Sequence, residues 1–161
     1  TVDRAAPYKR IATAEAWTFP ALVKAQCDYW DSGAAPRDDS LRMAVMFNKM
    51  SSLQEMLQDL GPLRLAHMDE LGIDRQLLLL TAPGVQAVRP GEGTALAREA
   101  NDIAADACAR HPDRLSALAA FDPRDVAGSV KEIERAMGKL GFNGAVLNSH
   151  WQGNYIDEAD Y

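Results

Sequence analysis

The sequence predicts an α/β fold in which helices cover a parallel sheet. Short apolar runs alternate with stretches of helical period. One unit recurs, in which a helix ends in Leu-Gly, an apolar residue and Asp or Asn follow, and a strand begins: "ELGIDRQLLLL" at 70–80 and "KLGFNGAVL" at 139–147. The run Leu77 to Leu80 is continuously apolar, the pattern of a strand buried on both faces of a parallel sheet. Periodicity leaves open whether the sheet stays open or closes into a barrel, because both use right-handed βαβ units.

The first strand is "KRIATAEAW" at 9–17, where strict alternation puts Ala12, Ala14 and Ala16 on one face and Thr13 and Glu15 on the other. "TFPALV" then starts a helix. Residues 31–61 form a helical insert in a single domain spanning 1–161: "DSGAAPRDDS" reads as a loop, and the stretch from Leu41 is helical and Met-rich. Met43, Met46, Met50 and Met56 are expected to fill core, with an adaptable binding surface as the other reading of the same spacing. A helix from Pro62 in its first turn to Gly72 leads into the strand "RQLLLLTAP" at 75–83. A third copy runs from Thr94 through Leu96, Ala100, Ile103 and Ala107 into the strand "LSALAAFDP" at 115–123. Asp125 is a plausible N-cap for a helix whose inward face is Val126, Val130, Ile133, Met137 and Leu140; Gly141 supplies a left-handed cap, and "GAVLNSH" at 144–150 reads as the fourth strand.

The chain has 161 residues, enough for one domain, whereas a complete (βα)8 barrel usually takes ~250. A formal net charge of −6 disfavours nucleic acid or an anionic membrane as partner. No apolar run nears the ~20 residues of a membrane span, and the first residues lack a signal-peptide core, so a cytoplasmic setting is the expectation. Cys27 and Cys108 lie far apart, form no CxxC, and are expected to be buried and reduced.

In parallel α/β folds the chemistry sits at the C-terminal ends of the strands. The residues there are Glu15 and Trp17, then Thr81 to Gln86, Asp122, and Asn148 to His150. In "LNSHWQGNY", Asn148, Ser149, His150 and Gln152 offer donors and acceptors and Gly153 permits a tight turn; His150 could bind a metal, contact a substrate carboxylate or carry a proton, or it could tie down the next loop. Pro83-Gly84 predicts a type II turn that aims Thr81 at whatever lies above the strand. Asp122 is either catalytic or the start of a turn. His67 and His111 read as structural, and three scattered histidines build no closed transition-metal site. No GxGxxG, P-loop or GxSxG occurs, which removes support for nucleotide binding and for a serine-hydrolase elbow.

Four segments, "KRIATAEAW", "MDELGIDRQLLLLTAPGVQ", "AREANDIAADACARHPDRLSALAAFDP" and "KLGFNGAVLNSHWQGNYID", together resemble the amidohydrolase-related metal-dependent decarboxylases. The resemblance is strongest to the 5-carboxyvanillate decarboxylases and extends to the γ-resorcylate and aminocarboxymuconate-semialdehyde decarboxylases. It implies a (βα)8 TIM barrel of the amidohydrolase type, of which this chain covers roughly the N-terminal half, strands 1–4. It implies one divalent metal, Mn or Zn, and non-oxidative decarboxylation of a small aromatic acid, a carboxylated phenol such as 5-carboxyvanillate, in a homodimer or homotetramer. In such relatives a Glu ending strand 1 is a metal ligand, with a His and an Asp from later strands. Here Ala14 occupies that position and Glu15 follows it, so Glu15 is the metal-ligand candidate by resemblance. Resemblance also suggests Thr81 and His150 as substrate-binding residues and Lys49 as a neutralising charge for the substrate carboxylate, where a solvated lysine is the plainer reading. The proton donor is not identifiable. The alternatives are a metal-dependent hydrolase of the same superfamily, cleaving a C–C or amide bond, and a non-catalytic domain that binds a partner through the Met-rich insert.

Overall fold

A computed structural model describes residues 8–148, 150, 151, 154, 155 and 157. Three parallel strands form its main sheet: β1 (Ile11–Trp17), β2 (Arg75–Leu80) and β3 (Leu115–Ala117), in the order β1-β2-β3. Between β1 and β2 lie α1 (Pro20–Asp31), α2 (Asp39–Asn48), α3 (Ser51–Gln58) and α4 (Pro62–Leu71). A single turn of 3₁₀ helix, Gly84–Ala87, and α5 (Gly93–Arg110) connect β2 to β3, and α6 (Val126–Gly138) follows β3.

Local chemistry places most of the ends. Pro62 opens α4, and Gly72 at φ 66 closes it in the left-handed region that glycine enters at little cost. The Asp125 side chain accepts from Gly128 N at the start of α6, and Gly141 at φ 74 reverses the chain after it, so that Phe142 N donates to Ala136 O. Along α5 the inward stripe is small (Ala97, Ala100, Ala104 and Ala107, all buried), which lets this helix lie close against the sheet. Leu78, Leu80 and Trp17 close the same core from the strand side.

Four expectations change. The Met-rich stretch is two helices: α2 ends at Lys49, and the Phe47 carbonyl at the break accepts from Met50 N (3.0 Å) and from Gln54 Nε2 (3.3 Å). Its methionines are outside, with Met43, Met46, Met50 and Met56 each about half exposed, because the inner stripe of α2 is already filled by the buried Ala44 and by Leu41 and Val45, which pack on Tyr29, Ala87 and Trp151. On α6, Val126 and Val130 are exposed while Ser129 and Glu132 are buried. That rotation is stable because each buried polar group has a partner: Ser129 Oγ donates to Asp122 O, and Glu132 binds Asn101 and Arg135. The fourth strand shrinks to one parallel bridge, Ala119 with Ala145, after which the chain forms a small antiparallel hairpin of β4 (His150–Trp151) and β5 (Asn154–Tyr155).

Glu132 gives the fold a pH dependence. Burial alone would raise its carboxyl, but the hydrogen bonds from Arg135 and Asn101 outweigh it and hold the pKa below the ordinary 4.5. The folded state therefore binds fewer protons than the unfolded one in acid. The stabilisation from this network is complete above that ordinary value and is lost as pH falls through the lowered one. Urea midpoints should drop more steeply between pH 5 and 3 for the parent than for Glu132→Gln, which already lacks the titrating group.

Candidate functional site

The site is built where β1 and β2 end side by side. Thr81 N donates to Trp17 O (2.9 Å), so the chain leaves both strands at one level. Thr81 to Gly84 then make a turn around a cis Ala82–Pro83 peptide, with Pro83 at φ −83, ψ 9 and Gly84 N donating to Thr81 O (2.9 Å). This is a type VI turn and not the type II turn expected from Pro-Gly, which needs ψ near 120° at the proline.

Two side-chain amides hold this turn, and a third ties the hairpin beside it. Asn148 Nδ2 donates to Pro83 O (2.9 Å). From α1, Gln26 Nε2 donates to Gly84 O (3.0 Å), while its Oε1 accepts from Asn48 at the end of α2 (3.0 Å). Gln86 Nε2 donates to His150 O (3.1 Å). Thr81 thus stands at the turn that Asn148 holds, the backbone of His150 is tied to Gln86 just after it, and the insert is tied to it through Asn48. Beneath the turn lies a cavity of about 10 Å³, lined in part by Leu80, Gly84, Phe121 and Asn148, room for one water molecule. His150 is exposed, and its ring lies tilted by 37° against that of Tyr155 with centroids 5.5 Å apart. Lys49 is exposed at the end of α2, beside Asn48. Cys27 lies in the same region: burial pushes its thiol up, against the pull of Asn48 and Lys49. Ser149, Gln152 and Gly153 lie outside the described residues.

Gln26 and Asn48 are the residues around this turn that motif reading misses. One signal was present for the first of them. Gln26 follows Leu22 by four residues, which puts a polar group on the inward stripe of α1, and a polar residue there needs a buried partner.

Asp122 takes a structural role. It is buried and forms a two-pronged pair with Arg124, whose remaining donors reach Val88 O (3.0 Å) and Val85 O (3.1 Å).

Glu15 goes elsewhere. Pairing of β1 with β2 slips between Ala12 and Glu15, so Ala12 stands opposite Gln76 and Glu15 opposite Leu78. One extra residue on β1 is a bulge. It places Ala12, Glu15 and Trp17 on the helix-covered side with Gln76, Leu78 and Leu80, where strict alternation had put Ala12 with the other alanines. Glu15 accepts from Gln76 Nε2 (3.2 Å), Gln76 accepts from Arg64 Nη1 (3.1 Å), and Arg64 Nη2 donates to Ala16 O (3.0 Å). Burial pulls the Arg64 pKa below its ordinary value, opposed by Glu15 and Asp59. This chain of contacts floors an open groove of about 450 Å³ between β1, α3 and α4, with Leu57 and His67 on its walls. Ala16 pairs with Leu79 on the opposite side of the sheet, the side Ala14 shares by alternation. Among the described residues, no group of three or more His, Cys, Asp or Glu could hold a metal ion.

Residues 54–161 match the amidohydrolase family. The chain is 40% identical over 106 residues to γ-resorcylate decarboxylase of Rhodococcus jostii, a match covering 65% of this chain and 32% of that one. Its structure superposes on 5-carboxyvanillate decarboxylase from Novosphingobium aromaticivorans, solved with manganese and 4-hydroxy-3-methoxy-5-nitrobenzoic acid, with a TM-score of 0.89 at 36% identity, covering 98% of this chain and 46% of that one. The enzyme of the same name from Sphingomonas paucimobilis gives 0.84 at 37% identity, over 94% and 46% of the two chains. The chain therefore spans under half the length of the solved relatives it matches.

Proposed function

Since this chain belongs to the amidohydrolase family and folds as roughly the N-terminal half of its (βα)8 barrel, we propose that the whole protein is a carboxy-lyase. Its reaction would remove CO2, without oxidation, from a carboxylated phenol, with a divalent metal such as manganese as cofactor. The observation that carries this reading is the superposition over nearly all of the chain on a decarboxylase holding manganese and a substituted hydroxybenzoic acid. Self-association and a cytoplasmic setting belong to the same proposal.

The chemistry sets what the protein must supply. Loss of CO2 from an aromatic acid requires a proton on the ring carbon that bears the carboxylate, which interrupts aromaticity. A bound divalent cation supplies Lewis-acid stabilisation of the charge that develops. The described residues of this chain do not fit that cation on their own: Glu15 is engaged with Gln76 on the helix side, and Ala14 offers no donor atom. We assign the chain the substrate-holding part of the task. Thr81 offers a hydroxyl at the end of β2, His150 an imidazole on the facing hairpin and Lys49 a positive charge from the insert. The amides of Gln26, Asn148 and Gln86 keep the turn and the hairpin in place, so orientation is prepared before substrate arrives.

Incubation of the whole protein with 5-carboxyvanillate or γ-resorcylate, with CO2 release and product mass as readouts, tests the assignment. Loss of the mass of CO2 supports it; addition of water to another substrate class with no CO2 released would replace it with hydrolysis. A second expected result concerns Ala14. Ala14→Glu puts a carboxylate on the sheet face opposite the Gln76–Arg64 network, and manganese affinity, read by calorimetry, should rise at least tenfold. Unchanged affinity would mean that this strand end does not face the metal. Lys49→Ala should raise KM several-fold with little change in kcat, because it removes charge that attracts ground state and transition state alike.

A further inference from the structure

Four side-chain amides run in one line from the insert to the turn after β2. Gln58 Nε2 donates to Gln54 Oε1 (3.0 Å), Gln54 Nε2 to Asn48 Oδ1 (3.3 Å), Asn48 Nδ2 to Gln26 Oε1 (3.0 Å) and Gln26 Nε2 to Gly84 O (3.0 Å). Their sense is fixed from one end. A backbone carbonyl only accepts, so Gly84 O obliges Gln26 to present its NH2 group, which leaves Oε1 for Asn48 and sets each amide behind it the same way round. Phe47 O, a second carbonyl, accepts from Gln54 Nε2 (3.3 Å) and enforces that sense at the insert. The line is anchored to the sheet on both sides: Thr18 N, just past β1, donates to Leu57 O in α3 (3.1 Å), and Thr81 N donates to Trp17 O (2.9 Å). Gln26 and Gln54 are 1% and 8% exposed, positions where an apolar side chain of similar size would be buried without needing partners.

We infer that Gln26 is a positioning residue: through Asn48 it couples the corner between α2 and α3, where Lys49 stands, to the turn that carries Thr81, and so sets the spacing of those two groups. Asn48 is the last residue of α2 and Lys49 follows it, while Gly84 N closes the turn on Thr81 O (2.9 Å). Gln26 stands between the two with one bond to each side. Without its NH2 group the carbonyl of Gly84, a buried residue, loses its side-chain donor and the turn relaxes. Without Asn48, Gln26 Oε1 is left short of a partner, and the hold on Gly84 slackens because bonds in a chain polarise one another. The coupling is a property of these bonds. Its consequence for substrate rests on the reading given above, in which Thr81 and Lys49 hold a carboxylated phenol.

Native-state hydrogen exchange in the whole protein tests the coupling without any substrate. Gln26→Met keeps the side-chain length and removes both bonds. Asn48→Leu leaves the Gln26 side chain in place and, at the half-buried end of α2, keeps the fold. Each should speed exchange of the Gly84 amide roughly tenfold while amides in the middle of α5 keep their rates, and the double variant should exchange no faster than Gln26→Met alone. Unchanged protection of Gly84 in Asn48→Leu, or additive effects in the double variant, would overturn the coupling. Steady-state kinetics on 5-carboxyvanillate test its consequence. Lys49→Ala should raise KM by a smaller factor in the Gln26→Met background than in the parent, since a displaced charge has less attraction to lose; equal factors would overturn the part of Gln26 in placing Lys49. A parent that releases no CO2 would strike the substrate reading alone, with the exchange rates still deciding the coupling.

Discussion

Gly93→Ala should unfold the protein at far lower urea than the parent, with a loss of about 3–5 kcal/mol, the range for breaking a buried ion pair. No left-handed conformation is at stake. A Cβ at this position would lie 2.0 Å from Asp122 Oδ2, 2.6 Å from its Cγ and 2.8 Å from the Val85 carbonyl oxygen. None of these neighbours can yield cheaply. Asp122 is clamped by both prongs of Arg124 and is itself buried, and Val85 O is one of the carbonyls that Arg124 reaches. Moving the carboxylate leaves a buried charge short of its partner and loosens the link between the 84–88 segment and the start of α6. Denaturant melts followed by far-UV circular dichroism measure the effect. Gly138→Ala, where nothing stands within 4 Å of the added carbon, is the matched control and should be neutral or slightly stabilising.

The second large effect belongs to Asn101. This one side chain closes both hydrogen-bonding groups of Ala120, donating to its carbonyl (2.9 Å) and accepting from its amide (2.7 Å), and it also donates to Glu132 (2.8 Å). Asn101→Leu keeps a similar volume and removes all three bonds. The strand end loses its lateral support and a buried carboxylate loses a donor, so the cost should be roughly 3–4 kcal/mol, each unsatisfied buried group contributing about 1–3. For a domain of this size that corresponds to a fall in Tm of about 10 °C. Asn101→Asp separates geometry from charge. It can still accept from Ala120 N but sets a second carboxylate against Glu132, so its deficit should shrink as pH falls and one of the two acids protonates. A deficit that did not change with pH would place the loss in the Ala120 contacts alone.

Part of the layout was legible along the chain. The candidate positions Thr81 and His150 come from asking what stands at the ends of predicted strands; the structure sets Thr81 at the turn after β2 and ties the backbone of His150 to Gln86 just beyond that turn, and their part in binding stays a proposal. Glu15 was not legible in the same way. Its side depends on whether β1 and β2 run in simple register, and the slip between Ala12 and Glu15 is a property of the pair of strands. Asp122 shows the same limit, since a carboxylate before a proline is a catalytic candidate until Arg124 is seen to take both of its oxygens.

What the sequence determined by itself is the order and kind of the elements. The glycines that stop α4 and follow α6, Pro62 at the start of α4, Asp125 at the start of α6 and the leucines of β2 act within a few residues of themselves, so their spacing carries the outcome. What only the tertiary structure decided is which face each element turns inward. Ser129 and Glu132 are inside and Val130 outside because Asp122 and Asn101 reach them from outside α6, while Arg135, one turn along the same helix, holds Glu132 as well. The methionines of α2 stay outside because residues from α1 and the hairpin reach its other stripe first. Burial free energy depends on partners, and the partners are brought together by the fold.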